Sequence, residues 1–339
     1  MNYLKNLKWE DQEFSKIKKL KIQEIVGDEY IGENLQLLNQ LEILLSKVQN
    51  LEELHLVDCG LTELPKAICD LKHLKTLNLK RSKLSSIPES IENLSELKVL
   101  NVRDNSLKSL PESIGNLKSL IELDVGGNLY LKTLPKSISN LRNLEDLSIY
   151  GNAFTEIPSC VGNLRKLKKL SAWSNPITSI PENIWNLENL EGLFLGYTKL
   201  KSISESIGKL ENLKNLDLSG LELKSFPNSL KILKKLTKLS LLEGKLTAIP
   251  DCVFELSNLK KLDVYRNQLA SIPEKIEKLK NLECLYIADN IPLKKWPKSL
   301  EKLKNLKVLM IDKDQELLWI QPIENLKKIN KNLKIFVIG

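Results

Sequence analysis

Apolar residues fall along this chain at a repeating set of offsets. Over residues 97–119, L-K-V-L-N-V-R-D-N-S-L-K-S-L-P-E-S-I-G-N-L-K-S, they are Leu97, Leu100, Val102, Leu107, Leu110, Ile114 and Leu117, with Asn105 and Pro111 between them. The frame starts twelve times, at Leu51, Leu74, Leu97, Leu120, Leu144, Leu167, Leu190, Leu213, Leu236, Leu259, Leu282 and, in degenerate form, Leu306. Starts are 23 residues apart except for two intervals of 24, where Asn128-Leu129-Tyr130-Leu131 and Asn290-Ile291-Pro292-Leu293 carry one extra residue. A period of this size marks a coil that cannot bury its apolar face alone and must stack on its neighbours.

Each part of the frame has a physical role. Leu97, Leu100 and Val102 end in strand-like alternation, so two side chains point inward while Asn101 and Arg103 point out. Copies of such a strand pair into a parallel sheet. Asn105 turns the chain away from it, and its amide can satisfy backbone groups of adjacent coils inside the stack, as a buried polar group requires. Pro111 opens a return segment that makes no sheet ladder, which suits a residue without an N–H. Ile114 and Leu117, three apart, predict a helical or 3₁₀ turn packed on the outer side.

The ends depart from the frame. Over residues 1–50, Ile17, Leu20 and Ile22 suggest one irregular coil, and Leu35, Leu38, Leu41, Leu45 and Val48 predict an amphipathic helix over 33–49. We take 1–50 as an amino-terminal cap, 51–320 as about twelve coils, and 321–339 as a carboxyl-terminal cap of helix plus edge strand; residues 1–16 carry no pattern. No linker interrupts the array, which suggests one domain. At the Asn position, three consecutive coils carry Thr198, Leu221 and Gly244, and Ser204 replaces the proline of the first. The inner ladder should be weakest there.

The L-x-x-L-x-L-x-x-N-x-L frame with its L-P-x-x-I-x-x-L return resembles the 23-residue leucine-rich repeats of bacterial proteins, including small spirochaete ones, and of animal scaffold proteins of the Scribble and Ras-suppressor type. The resemblance covers roughly residues 51–320. It implies an α/β solenoid, a horseshoe with a concave parallel β-sheet and a convex side of 3₁₀ or short helices. It also implies a protein ligand on the concave face, in a scaffold or host-interaction role, without naming the partner.

The charge of +8 is uneven: residues 201–339 hold 26 Lys and Arg against 17 Asp and Glu, whereas residues 1–200 are near balance. No apolar run is long enough to span a membrane, and Met1–Glu10 shows no secretory h-region. The expectation is a cytoplasmic protein, one exported without a visible signal, or an extracellular one whose signal has been removed. Cys59, Cys69, Cys160, Cys252 and Cys284 are scattered and odd in number, which fits buried thiols better than disulfide caps.

The outward strand positions change character along the chain. Early coils offer charged residues such as Arg103, Asp104, Glu122 and Asp124. Coils five to seven show Asp146, Tyr150, Trp173, Phe194 and Tyr197, and Tyr265, Arg266 and Tyr286 form a second group. Aromatics and arginine dominate binding hot spots, so we take Asp124, Asp146, Tyr150, Trp173, Phe194, Tyr197, Tyr265, Arg266 and Tyr286 as the candidate protein-binding surface. Tyr150 and Trp173, 23 residues apart, are expected to stand about 5 Å apart on adjacent strands, with Phe194 and Tyr197 extending the row.

Nothing in the sequence points to catalysis. His55 and His73 have no partners at metal-ligand spacing, and phosphate-loop and nucleophile-elbow motifs are missing. Asp312, Asp314 and Glu316 alternate without the glycine of a calcium loop, and read as a polar loop. The expectation is a monomeric, non-enzymatic protein-binding module with no cofactor, no metal and no nucleic-acid partner. Two other readings are a polyanion or cell-surface binder using the basic carboxyl-terminal coils, and a structural spacer.

Overall fold

The computed structural model describes residues 14–23 and 40–339. The chain divides into two compact units, residues 1–170 and 171–339, where the unbroken repeat suggests one domain. In the first unit the strands are β1 (Lys19–Gln23), β2 (Glu53–Val57), β3 (Thr76–Asn78), β4 (Val99–Asn101), β5 (Glu122–Asp124) and β6 (Asp146–Ser148). They pair in parallel and in chain order, and Leu54, Leu77, Leu100, Leu123 and Leu147 stand in register. All five are fully buried, as is Leu170. β7 (Lys169–Ser171) lies where the units divide.

The second unit repeats this with β8 (Gly192–Phe194), β9 (Asn215–Asp217), β10 (Lys238–Ser240), β11 (Lys261–Asp263), β12 (Cys284–Tyr286), β13 (Val308–Asp312) and β14 (Lys334–Ile338). Leu193, Leu216, Leu239, Leu262, Leu285, Leu309 and Ile335 form its register ladder. Both units are leucine-rich repeat solenoids with parallel strands on one side and short 3₁₀ helices on the other.

The return segments show how proline starts a helix without a side-chain cap. Each 3₁₀ helix has five residues, and from Lys66–Asp70 to Lys298–Lys302 every one but one follows a proline. The orphan N–H groups of the first turn are met in several coils by a glutamate of the preceding one. Ser113 N–H donates to Glu89 (3.1 Å), Ser137 N–H to Glu112 (3.2 Å), and Asn228 and Ser229 N–H to Glu205 (2.9 and 2.8 Å). Where Ser204 stands for proline, its Oγ accepts from Ser206 N–H at 3.2 Å, so the lost ring is replaced by an ordinary N-cap.

The asparagines turn inward as their position in the frame requires. Asn105 Nδ2 donates to the carbonyls of Leu79 and Val102, both at 2.9 Å, and its Oδ1 accepts from Leu84 N–H at 3.1 Å. Asn267 and Asn290 do the same in the second unit. Thr198 reaches only the carbonyl of Leu195 in its own coil (2.8 Å), Leu221 is buried without a polar group, and Gly244 contributes its backbone N–H to Asn267. The residue before the ladder position is left-handed in most coils: Asp58, Arg81, Asp104, Gly127 and Gly151 in the first unit, Ser174, Tyr197, Gly220, Glu243, Arg266 and Asp289 in the second.

At the ends, residues 40–47 are helical; residues 33–39 of the expected helix and residues 1–13 lie outside the described residues. The run from Asp312 is not a polar loop. It opens a helix, Lys313–Leu318, with Asp312 N–H donating to Gln315 Oε1 at 3.2 Å, and a second helix, Ile320–Ile329, follows before β14.

Candidate functional site

In the first unit, Tyr150 follows β6 and its ring lies back over the preceding coils. Arg103 stacks on the ring with its guanidinium carbon 4.6 Å from the centroid, and Tyr150 Oη donates to Asp104 Oδ1 at 3.2 Å. Arg103 Nε donates to Asp104 Oδ2 at 3.2 Å, which closes a triangle of three side chains. The seat exists because the intervening residue is Gly126, where a Cβ would overlap the ring. Burial and the Asp104 carboxylate push the Tyr150 phenol up to about 12, so it remains a neutral donor at any physiological pH.

Asp124 and Asp146 lie on the neighbouring strands β5 and β6. Asp124 Oδ1 accepts from Gly126 N–H (2.9 Å), holding the turn on which the ring rests, and Asp146 pairs with Lys169 Nζ at 2.9 Å. Glu122 on β5 has its pKa raised by burial and then by the Asp146 and Asp124 charges.

In the second unit, Trp173 is 39% exposed and Phe194 is half-buried on β8. They do not share a row. Ala172 N–H donates to Phe194 O and Ser174 N–H to Gly196 O, which sets Trp173 opposite Gly196 and Phe194 opposite Ser171. Tyr150 and Trp173, expected as neighbours on adjacent strands, belong to different units.

Tyr197, left-handed at φ 54, extends its ring over Gly220 and donates from Oη to Glu243 Oε2 at 3.0 Å. Glu243 Oε1 in turn accepts from Arg266 (2.8 Å), whose Nε donates to Asp289 Oδ2 at 3.0 Å, and the guanidinium lies 5.5 Å from the Tyr265 ring centroid. These paired carboxylates raise the Arg266 pKa further. Beside the chain is an open groove of about 560 Å³ lined by Glu243, Lys245, Arg266, Gln268, Asp289 and Ile291. Ile291, 82% exposed, belongs to the extra residue of the 24-residue coil, so the insertion places an apolar side chain at the groove's rim.

Tyr286 belongs to a third group. It stands in register with Met310 and Phe336 across β12, β13 and β14, and Lys261 Nζ lies 4.4 Å from its ring centroid. Sequence reasoning singled out Tyr286 but missed Met310 and Phe336, because the last coils drift from the frame that phases the others. It also missed Asp104 and Glu243 as the tyrosines' partners. The available signal was the spacing, since 104 to 150 and 197 to 243 are both 46 residues, the second two full coils of 23 and the first one residue short of two coils because one of them has 24.

Among the described residues, no group of three or more His, Cys, Asp or Glu could hold a metal ion, and no helix is long and apolar enough to cross a membrane. The five cysteines are free thiols, and burial pushes Cys59 up to about 12 and raises the others, which makes them poor nucleophiles.

The chain belongs to the leucine-rich repeat family. The model described as "Leucine-rich repeat region" matches residues 13–128 and 127–218, and "Leucine rich repeat" matches residues 234–291. No curated protein matches. Among solved structures, the chain is similar to a leucine-rich repeat protein of Leptospira interrogans, at 27% identity and TM-score 0.65, over 98% of both chains. An internalin of Listeria monocytogenes shares the fold at 20% identity and TM-score 0.76, over 99% of this chain and 92% of that one. So does the ectodomain of the Arabidopsis thaliana receptor kinase GASSHO1/SCHENGEN3, solved in complex with Casparian strip integrity factor 2. That match has 21% identity and TM-score 0.50, over 85% of this chain and 47% of the receptor chain.

Proposed function

We propose that this protein is a non-catalytic module that binds a protein partner on the sheet side of its coils. The observation that carries the reading is the Tyr197–Glu243–Arg266–Asp289 chain, in which an aromatic and an arginine are both exposed and both held in place by carboxylates. Side chains ordered before binding lose little entropy when a partner arrives, and Tyr and Arg so placed are typical anchors. The Arg103–Asp104–Tyr150 triangle presents the same chemistry in the first unit. The receptor ectodomain, solved with a bound factor, shares the fold, and a protein ligand on such a fold fits this reading.

The basic carboxyl-terminal coils favour a polyanion less. Several of their lysines are already paired: Lys275 with Asp251 (2.7 Å), Lys278 with Glu255 (2.6 Å), Lys302 with Glu277, and Lys307 with Glu283 (2.6 Å). A polyanion would have to compete with each of these carboxylates.

The test is affinity capture with Trp173→Ala/Tyr197→Ala and Lys302→Ala/Lys304→Ala variants in low and physiological salt. The reading requires the aromatic variant to lose the partner by tenfold or more while its melting temperature barely moves. A partner lost with the lysines, or released by modest salt, would move the site to the basic surface.

A further inference from the structure

In the second unit, three large aliphatic side chains stand in solvent around one buried tryptophan. The helix Lys313–Leu318 ends in Leu317 and Leu318, and Ile320 opens the helix Ile320–Ile329. They are 61%, 60% and 59% exposed, whereas Trp319 between them is 1% exposed. Trp319 Nε1 donates to Lys294 O at 2.9 Å, and its ring meets that of Trp296 edge-on, with 5.4 Å between centroids. Successive residues on a helix point about 100° apart, so seating Trp319 turns its neighbours away from the core. A surface helix ordinarily carries polar residues at such positions, and here they are Leu, Leu and Ile.

The neighbouring coil adds to this corner. Exposed Ile291 and Pro292 lie in the loop that runs on into Leu293 and Lys294, whose carbonyls accept from Gln315 Nε2 (3.2 Å) and Trp319 Nε1. Loop and corner are thereby fixed to each other. Scattered apolar residues are ordinary surface, but four large aliphatics on one hydrogen-bonded edge are not. The charge around them is positive. From Lys294 to Lys334 the chain has eleven lysines and five acids. Lys294 and Lys295 in the loop, Lys298 after it and Lys313 at the helix start are exposed, and they have no ion-pair partner among the described residues. The lysines that carboxylates neutralise, such as Lys275, Lys278, Lys302 and Lys307, lie outside this loop. Asp314 and Glu316 are the acids of the helix itself, and both stand in its first turn, where the backbone N–H groups favour them.

We propose that this corner docks on an anionic lipid bilayer. Leu317, Leu318 and Ile320 enter the headgroup region with Ile291 beside them, while Lys294, Lys295 and Lys313 meet the lipid phosphates. Two features select a bilayer over a protein. Side chains this exposed protrude, and a protein partner would need a pocket shaped for each, whereas the boundary of headgroups and acyl chains accepts apolar groups of any shape. The second feature is the pairing of two attractions on one edge. A few aliphatics alone hold a bilayer weakly and reversibly, and stable adsorption takes basic residues beside them, whose pull reaches about a Debye length. Neither the sheet nor the Tyr197–Glu243–Arg266–Asp289 chain is needed, so the proposal is independent of the sheet-side reading.

The test is cosedimentation of the full chain with vesicles of phosphatidylcholine alone and of phosphatidylcholine mixed with phosphatidylglycerol, in low and physiological salt. Binding is expected to the mixed vesicles, roughly tenfold or more above phosphatidylcholine, and physiological salt should weaken it without abolishing it. Leu317→Gln/Leu318→Gln/Ile320→Gln should reduce it by roughly tenfold or more in either salt, and Lys294→Gln/Lys295→Gln by several-fold, chiefly in low salt. Trp173→Ala/Tyr197→Ala should bind vesicles as the wild type does. Far-ultraviolet circular dichroism verifies that the variants retain their coils. Leu318→Trp gives a reading that does not depend on affinity, since its added fluorescence should move to shorter wavelength on mixed vesicles and be quenched by brominated acyl chains. A wild-type chain that does not sediment with the mixed vesicles in low salt overturns the proposal. So does binding that the glutamine triple variant retains in full, which would mean lysines adsorbing a polyanion of any kind, and so does Leu318→Trp fluorescence that the vesicles leave unchanged.

Discussion

Tyr197 donates its phenol to the carboxylate of Glu243 at 3.0 Å, passing over the coil that carries Gly220. Gly220 is left-handed at φ +69, and a Cβ there would stand 2.7 Å from Tyr197 Cδ1. Gly220→Ala is therefore expected to destabilise the second unit by about 1 kcal/mol or more, from backbone strain and displacement of the ring. Tyr197→Phe, which keeps the ring and removes one exposed hydrogen bond, should cost less than about 1 kcal/mol. Urea titrations of the two variants check the order. If Gly220→Ala proves neutral, the ring is not seated over this coil.

The inward leucines form the core of each unit. Leu123→Ala, in the middle of the first unit's ladder and fully buried, should cost roughly 2–5 kcal/mol. Stability in a stacked array passes between nearest neighbours, so Leu309→Ala should fray the last coils while distant ones persist. Equilibrium unfolding followed by hydrogen exchange of each variant would distinguish the two patterns.

Within the second unit, the coils of Thr198, Leu221 and Gly244 lack the asparagine that elsewhere bonds two coils together. Their amides should exchange faster than those of the coils of Asn267 and Asn290, whose side chains each bridge to a neighbouring coil. Equal protection across the five coils would show that the side-chain ladder contributes little beyond the sheet and the leucines.

Acid should act on the return segments. Glu89 and Glu205 have folded pKa values held below the ordinary 4.5, Glu89 by the Ser113 hydroxyl and N–H, Glu205 by the N–H groups of Ser229 and Asn228. A depressed carboxylate adds stability above its unfolded pKa, and that stability is lost as pH falls through the folded value. Glu205→Gln should therefore flatten the loss of thermal stability on going from neutral pH into the acid range below 4.5. Asp263 behaves oppositely. Burial raises its pKa above 3.8, so its contribution is most favourable at low pH and is lost as pH rises through the folded value. Asp263→Asn retains an acceptor for Tyr265 N–H and should stabilise the protein at neutral pH; an unchanged or lower melting temperature there would contradict this.

How much of this was legible beforehand follows from how each feature is encoded. The strands, the 3₁₀ returns, the inward leucines and the asparagine ladder each depend on neighbours at a fixed offset, so the repeat of Leu, Asn and Pro was enough to place them. Ser204 needed only its own hydroxyl to replace proline as a cap. The candidate surface is different, because the phasing showed which residues point outward but not where a long side chain lies down. Tyr150 turns back to Asp104 and Tyr197 turns forward to Glu243, although both follow the same kind of strand. The choice was made by Gly126 in one case and Gly220 in the other, each leaving room for a ring where a Cβ would exclude it. Likewise Leu317, Leu318, Trp319 and Ile320 stand side by side in the sequence as four apolar neighbours. That Trp319 goes inward while the other three stay exposed is decided by the Lys294 carbonyl and the Trp296 ring, which another coil supplies. Burial of that kind is a property of the packed molecule, not of any local pattern.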